Sequence, residues 1–199
     1  EAGVALVYVP DEAVIYPSGA ARDVKAGSAA QGLETDFRPG FFDGVLSVVT
    51  RLFDHVRPDV AVFGEKDYQQ LLTIKRLTAD LNMPVRIIGA PLIREPDGLA
   101  MSSRNRYFDA PARKIAGRLN VILRTCVKAI ENGQDIHTAC ATARATILDA
   151  GFDSVDYVAL ADTKTLALLS GKLKQQNARL LTAAHCKGVR LIDNMAVGG

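Results

Sequence analysis

Two apolar runs separated by a helical pattern constrain the fold more than any other feature of this chain. Residues 60–63 and 85–88 are strand-like, and Pro58 and Pro84 precede them. Between them, apolar residues recur at helical spacing over residues 68–81. The order strand, helix, strand is typical of βαβ units, whose two strands run parallel in one sheet. The sequence therefore predicts an α/β fold with a Rossmann-like parallel sheet.

The residues before this unit predict two further elements and a loop. Residues 4–9 (VALVYV) are strand-like, and residues 42–56 carry apolar side chains at helical spacing. Residues 17–40 are rich in Gly, Ala, Ser and Pro, so we expect mostly loop there. Because the chain opens at Glu1 and runs at once into a strand-like segment, we expect the N-terminal part of the sheet to be incomplete.

The order of predicted elements changes after residue 107. A helix is expected from Asp109 to about residue 131, and a second one over 135–150 that ends at Gly151. A strand over 156–160, a short helix over 163–169, and a hairpin of strands 180–184 and 189–193 should follow. We therefore divide the chain into a Rossmann-like nucleotide-binding domain, residues 1–107, and a smaller α+β domain, residues 108–199.

Composition narrows the classes of partner. The 199 residues are 48% hydrophobic and carry a formal net charge of +2, too little to favour a nucleic-acid or membrane partner. Cys126, Cys140 and Cys186 form no CxxC pair, so we expect buried, inert thiols in a reducing cytoplasm rather than a zinc site or disulfides. The three histidines are scattered, and we assign neither a catalytic triad nor protein ligands for a metal.

The first chemical motif is FGEKDYQQ, residues 63–70, at the predicted end of a parallel strand. That edge of an open α/β sheet is where ligands bind. Gly64 would allow close approach to the backbone, and Lys66 and Asp67 would lie in the first helical turn, where free N–H groups favour anions. Gln70 should share a helix face with Asp67. The alternative is a solvated helix start, which would suffice for Lys66 alone but not for the whole octet.

The second motif is REPDGLAMSSRN, residues 94–105. Its PDG sequence predicts a turn. Ser102 and Ser103 then offer hydroxyls, and Arg104 offers a guanidinium that can bind two phosphate oxygens. The alternative is a surface turn whose serines cap the next element. Because this loop also follows an apolar strand of the same predicted sheet, we favour a polyphosphate site.

Together these motifs closely resemble the pantothenate synthetase family. The resemblance includes RPG at 38–40 and RLIDN at 190–194. The MSSR segment, residues 101–104, is similar to the signature loop of class I aminoacyl-tRNA synthetases and their nucleotidylyl-transferase relatives. It implies that Gly64 and Asp67 contact the ATP ribose, while Lys66, Ser102, Ser103 and Arg104 hold the phosphates and carry catalysis. Further ATP contacts are implied for Phe63, for Pro91 and Ile93 at the adenine, and for Met101. Gln70 would bind pantoate.

The implied reaction condenses pantoate with β-alanine through a pantoyl-adenylate. Pantoate attacks the α-phosphate of ATP, and Lys66, Arg104 and Mg²⁺ neutralise the charge on the departing pyrophosphate. The resemblance further implies a cytoplasmic homodimer that acts on small molecules.

Two departures from the family pattern leave alternatives open. Phe41 stands where the family has a histidine, and the family's HxGH motif would lie upstream of Glu1. The chain alone should therefore bind ATP yet form no adenylate, and it should be poorly soluble or pair with itself. A non-catalytic remnant and a different adenylate-forming transferase are the two alternative interpretations.

Overall fold

The computed structural model describes residues 3–17, 27, 31–175 and 177–198. Within its first part, two parallel strands are joined by a helix, which confirms the predicted βαβ unit. The strands are in register from Val60 opposite Arg86 to Gly64 opposite Ala90. The elements of this part are α1 (Glu12–Ile15), α2 (Glu34–Phe37), α3 (Phe41–Val56), β1 (Val60–Gly64), α4 (Tyr68–Asp80) and β2 (Arg86–Ala90).

Helices α3 and α4 cover one face of this sheet. Leu46 and Phe53 of α3 and Ile74 of α4 form a buried cluster, against which alternate strand residues such as Phe63 and Ile87 pack. The intervening strand residues, including Val62, point to the opposite, exposed face. This alternation follows from the two-residue period of a strand.

The second part contains two long helices and a three-stranded antiparallel sheet. Its elements are α5 (Ala110–Glu131), α6 (Ile136–Asp149), β3 (Ser154–Asp162), β4 (Ala178–Cys186) and β5 (Val189–Val197), with β4 in the middle of the sheet. Asp109 accepts a hydrogen bond from the Ala112 N–H at 2.8 Å, which confirms the predicted N-cap of α5. Gly151 ends α6 with a φ of +101°, as its sequence position predicts.

Two predicted elements are wrong. Residues 4–9 form no strand, because no described strand offers them a hydrogen-bonding partner, and their side chains are largely exposed. Residues 163–169 form a turn instead of a helix. There, Asp162 Oδ1 accepts hydrogen bonds from the Lys164 N–H at 2.9 Å and the Thr165 N–H at 2.8 Å. Such a side-chain turn competes with helix formation.

Other predictions are partly outside the described residues. Of the predicted loop 17–40, residues 18–26 and 28–30 lie outside them, and the described remainder contains the one-turn helix α2. All three cysteines are free and buried, as predicted. Within the described ranges, no helix is long and apolar enough to cross a membrane. The division after residue 107 stays a prediction.

Candidate functional site

The carboxyl ends of β1 and β2 meet at one edge of the parallel sheet. Gly64 and Ala90, the last residues of the two strands, are register partners. The first motif spans the end of β1 and the second begins shortly after β2, so both lie at this edge of the sheet. This edge is the usual ligand-binding edge of an open α/β sheet.

The first segment forms a 3-10 turn over Glu65–Asp67 before α4 begins. Lys66 and Asp67 therefore precede the α-helix rather than occupy its first turn. Their side chains are 19% and 47% exposed, with 3.8 Å between Lys66 Nζ and Asp67 Oδ2. A Cβ on Gly64 would meet no atom within 4 Å, so space for a ligand is open beside this backbone.

The two adjacent glutamines have different environments. Gln69 is buried, and its amide donates to the Gly32 carbonyl at 3.2 Å and accepts from the Glu34 N–H at 3.0 Å. Gln70 is partly exposed and lines a cleft. Gln69 thus holds the segment before α2 in place, while Gln70 remains available to a substrate.

A narrow cleft lies beside α4. Lys66, Asp67 and Gln70 line it together with Asp193 and Asn194 of β5. The structure thus brings three of the predicted site residues together. The other predicted residues, Phe63, Gly64, Pro91, Ile93, Met101, Ser102, Ser103 and Arg104, do not line this cleft.

The second segment is a tight hairpin that leaves β2. Arg94 pairs with Ala100 as a β-bridge, and the Met101 N–H donates to the Ile93 carbonyl at 3.0 Å. Gly98 adopts a φ of +86°, so the predicted turn is confirmed. Ile93 and Met101 are 67% and 52% exposed and stand beside each other on the solvent side.

Residues 102–104 begin a 3-10 helix, Ser103–Tyr107. Ser102 Oγ accepts a hydrogen bond from the Arg104 N–H at 3.2 Å, so Ser102 caps this helix, as the alternative interpretation expected. Its hydroxyl proton remains able to donate to a phosphate oxygen. Ser103 and Arg104 are exposed, and buried Asn105 anchors the loop through a 2.8 Å hydrogen bond to Glu95.

A salt bridge fixes the hairpin to α5. Arg113 donates to Asp97 at 2.6 and 2.9 Å. The Arg113 hydrogen bonds lower the pKa of the Asp97 carboxyl, and the Leu99 N–H adds to this effect. The Asn105 and Arg113 side chains likewise lower the pKa of Glu95. The hairpin thus carries two ionised carboxylates at neutral pH.

Sequence reasoning missed the residues of β5 that join the two segments. Arg94 forms two hydrogen bonds to Asp193, at 2.7 and 2.8 Å, and the Asn194 amide donates to the carbonyls of Glu65 and Lys66, both at 2.9 Å. The motif RLIDN was the only available signal, and it carried no role by itself.

A buried charged cluster lies at the other end of the cleft. Arg190 contacts both oxygens of Glu34 at 2.8 Å and Asp156 at 2.8 Å, while Tyr157 donates to Glu34 at 2.6 Å. Burial, together with the Glu34 charge, raises the pKa of Tyr157, so the phenol keeps its proton. Nearby, the Arg38 guanidinium stacks on the Phe41 ring, with its central carbon 3.4 Å from the centre of the ring.

Comparison with known proteins shows one consistent family. The family model for pantoate-beta-alanine ligase matches residues 1–196. Pantothenate synthetase of Sphingopyxis alaskensis is 47% identical over 198 residues, which are 100% of this chain and 70% of the relative. The enzyme of Nitrobacter hamburgensis is 46% identical over 198 residues, 99% of this chain and 69% of that protein.

Solved structures agree with the sequence matches. A crystal structure of pantothenate synthetase from Thermus thermophilus superposes with a TM-score of 0.86 at 38% identity, covering 97% of this chain and 70% of the other. A pantoate-beta-alanine ligase from Francisella tularensis, complexed with beta-gamma ATP and beta-alanine, gives a TM-score of 0.69 at 33% identity, with coverages of 91% and 60%.

Proposed function

The chain belongs to the pantoate-beta-alanine ligase family, and from this premise we propose that it condenses pantoate with β-alanine, using ATP and forming a pantoyl-adenylate. One observation carries the proposal: Lys66, Asp67 and Gln70 converge on one cleft at the ligand-binding edge of a parallel sheet. The second motif leaves the neighbouring strand at the same edge. The family match favours this ligase over a different adenylate-forming transferase and over a non-catalytic remnant.

We assign the nucleotide to the two segments at the sheet edge. Gly64 and Asp67 contact the ribose, for which the open space at Gly64 leaves room. The adenine lies against Pro91 and the Ile93 backbone, with Met101 beside the nucleotide and Phe63 supporting Gly64 from within the sheet. Lys66, Ser102, Ser103 and Arg104 hold the phosphates, since an ammonium, hydroxyls and a guanidinium are all phosphate donors.

Gln70 holds pantoate in the cleft, next to the phosphates. A carboxylate oxygen of pantoate attacks the α-phosphorus, and the bond to the β-phosphate oxygen breaks, which releases pyrophosphate. The amine of β-alanine then attacks the acyl carbon, the bond to AMP breaks, and a proton leaves the nitrogen. Lys66 and Arg104 stabilise the charge that develops during the first step, and no protein nucleophile is required.

Further parts of the proposal concern the metal, the assembly and the domains, and the first two rest on the family resemblance. Mg²⁺ would accompany the triphosphate, since it keeps several waters and binds mainly through substrate phosphates in such sites. We propose a homodimer in the cytoplasm, a location that suits three free, buried thiols. We also propose that residues 1–107 form the nucleotide-binding domain and residues 108–199 the α+β domain. Phe41, stacked on Arg38, replaces the family's histidine, so no imidazole acts there.

The test is pantoate-dependent exchange between ATP and pyrophosphate, which reports adenylate formation alone. Every variant is assayed together with an N-terminal segment that carries the family's HxGH motif, because the chain by itself is expected to form no adenylate. Lys66→Ala should lower this exchange by about 10²–10³-fold, as removal of one charge-stabilising donor commonly does. Lys75→Ala is the matched control, because Lys75 is an exposed lysine of α4, the helix that follows the Lys66 turn. Near-normal exchange in a folded Lys66→Ala variant would remove Lys66 from the site, and equal losses in both variants would point to nonspecific charge effects.

A further inference from the structure

Asn194 connects the antiparallel sheet to the turn that carries Lys66. It is 4% exposed, and its side-chain amide donates one hydrogen bond to the Glu65 carbonyl and one to the Lys66 carbonyl. Its Oδ1 accepts from Arg179 at 2.9 Å, which fixes the orientation of the amide because Arg179 can only donate. All hydrogen-bonding positions of this amide nitrogen are therefore directed at the Lys66 turn.

The preceding residue, Asp193, holds the other phosphate-binding segment. Asp193 is buried and pairs with both terminal nitrogens of Arg94, while the Arg94 guanidinium also donates to the Asn194 carbonyl at 3.2 Å. Arg94 begins the hairpin that leads to residues 102–104. Two consecutive residues of β5 thus contact both segments that bind the nucleotide in the proposed function.

We propose that Asn194 is a positioning residue, which sets the place of the Lys66 ammonium relative to the loop of Ser102, Ser103 and Arg104. This inference rests on the proposed function. The turn at Lys66 is only three residues long and starts from a strand end, so its own backbone gives it little rigidity. The two hydrogen bonds from Asn194 hold the carbonyl groups of Glu65 and Lys66 in place. Asp193 binds Arg94 of the hairpin, so the same strand fixes both segments relative to each other.

Positioning of this kind affects the rate more than substrate affinity. A displacement of about 1 Å caused by a distant mutation can cost roughly 10²-fold in rate, because the reacting groups no longer meet in line. We therefore expect Asn194→Ala to lower the maximal rate of pantoate-dependent exchange by about 10²-fold, with a much smaller change in the KM for pantoate. Asn194→Asp keeps the shape but replaces both donors with acceptors, and it should lower the rate at least as much.

The decisive measurement combines these variants with Lys66→Ala. If Asn194 acts through Lys66, adding Asn194→Ala to Lys66→Ala should cause little further loss of exchange. A purely structural role predicts that the two losses multiply. Thr50→Val is the stability control: it removes a buried hydrogen bond of 2.7 Å inside α3, away from both segments, and should lower the melting temperature without slowing exchange.

The possible results separate failure of the positioning role from failure of the proposed function. A rate close to that of the unmodified chain in folded Asn194→Ala and Asn194→Asp, or losses that multiply in the double variant, would overturn the positioning role. Should Asn194→Ala fail to fold, the isosteric Asn194→Asp carries the same comparison. Absence of pantoate-dependent exchange in the unmodified chain, assayed together with the N-terminal segment that carries the HxGH motif, would instead overturn the proposed function, and with it this inference.

Discussion

Arg104 and the two serines before it differ in the kind of contact they can make with a phosphate. A hydroxyl donates one neutral hydrogen bond, whereas an arginine donates two charged ones in a fixed fork. In the structure, Ser102 also caps the 3-10 helix that follows, so its hydroxyl has a local role as well. Side chains of this chemistry could be predicted from the sequence, because they stand next to each other in one motif.

We expect Arg104→Ala to weaken ATP binding more than Ser102→Ala or Ser103→Ala. A neutral hydrogen bond contributes about 0.5–1.5 kcal/mol net, and one to a charged group about 1.5–3 kcal/mol. Calorimetric titration with a non-hydrolysable ATP analogue would measure the difference. Arg106→Ala is the control, since Arg106 is exposed on the same short helix and stacks on Tyr107. Equal losses at all three site positions would contradict the argument from charge.

The contacts of Asn194 could not be predicted from the sequence. Its partners at Lys66 and Glu65 are 128 and 129 residues away, and no local pattern encodes that distance. An isolated Asp-Asn pair in a strand is compatible with many structures. The contact becomes visible only when β5 is placed beside the 3-10 turn.

At the scale of elements, regular periodicity made the long helices and paired strands predictable. Helices α3, α5 and α6 follow their apolar spacing, and α5 and α6 also begin at capping aspartates. The hairpin of β4 and β5 follows its turn sequence. The failures have other causes. A strand over residues 4–9 would need a neighbouring strand that the sequence of this segment cannot specify. Residues 163–169 form a turn because the Asp162 side chain accepts hydrogen bonds from backbone N–H groups that follow it, and these bonds outweigh helix propensity.

The contact between the hairpin and α5 should make stability depend on acid pH. The pKa of Asp97 is lowered in the folded chain from its ordinary value of 3.8, chiefly by hydrogen bonds from Arg113. A lowered pKa gives stabilisation that is complete above the pKa of the unfolded carboxyl and is lost as the pH falls through the folded value. Asp97→Asn should therefore be less stable than the unmodified chain at pH 7, and this difference should shrink at pH 3.

Urea unfolding at the two pH values would measure this dependence. Asp80→Asn serves as the control, because Asp80 forms an exposed pair with Arg76 one helical turn away, a type of pair that contributes only about 0.3–0.5 kcal/mol. A stability difference for Asp97→Asn that is the same at both pH values would show that the carboxylate charge is not responsible.

At the scale of the whole molecule, long-range ion pairs join segments that are far apart in the sequence. Arg190 of β5 reaches Glu34 of α2 across 156 positions, and Arg94 reaches Asp193 across 99. The first contact ties the segment before α3 to the antiparallel sheet. The second ties the nucleotide hairpin to the same strand. Composition predicted a chain able to form a core, but this arrangement follows only from how the two sheets are placed.

Loss of Arg190 should therefore destabilise the molecule far more than loss of a surface arginine. Glu34 and Asp156, whose side chains are 9% and 12% exposed, would lose the arginine that they share. Among the basic groups that the structure describes, Glu34 would keep only Arg38, at 3.8 Å, and Asp156 only the His185 imidazole, at 3.3 Å. Breaking such a pair commonly costs about 3–5 kcal/mol, most of it from the uncompensated charge. In urea unfolding, Arg190→Met should lose stability on this scale, whereas Arg76→Met, which breaks an exposed pair, should lose about 0.5 kcal/mol or less.

A double variant tests whether charge is the cause. Adding Glu34→Gln to Arg190→Met should recover part of the loss, because one of the two carboxylates that lost Arg190 is no longer charged. If the double variant is less stable than Arg190→Met alone, packing of the arginine rather than charge compensation is what holds the two parts together.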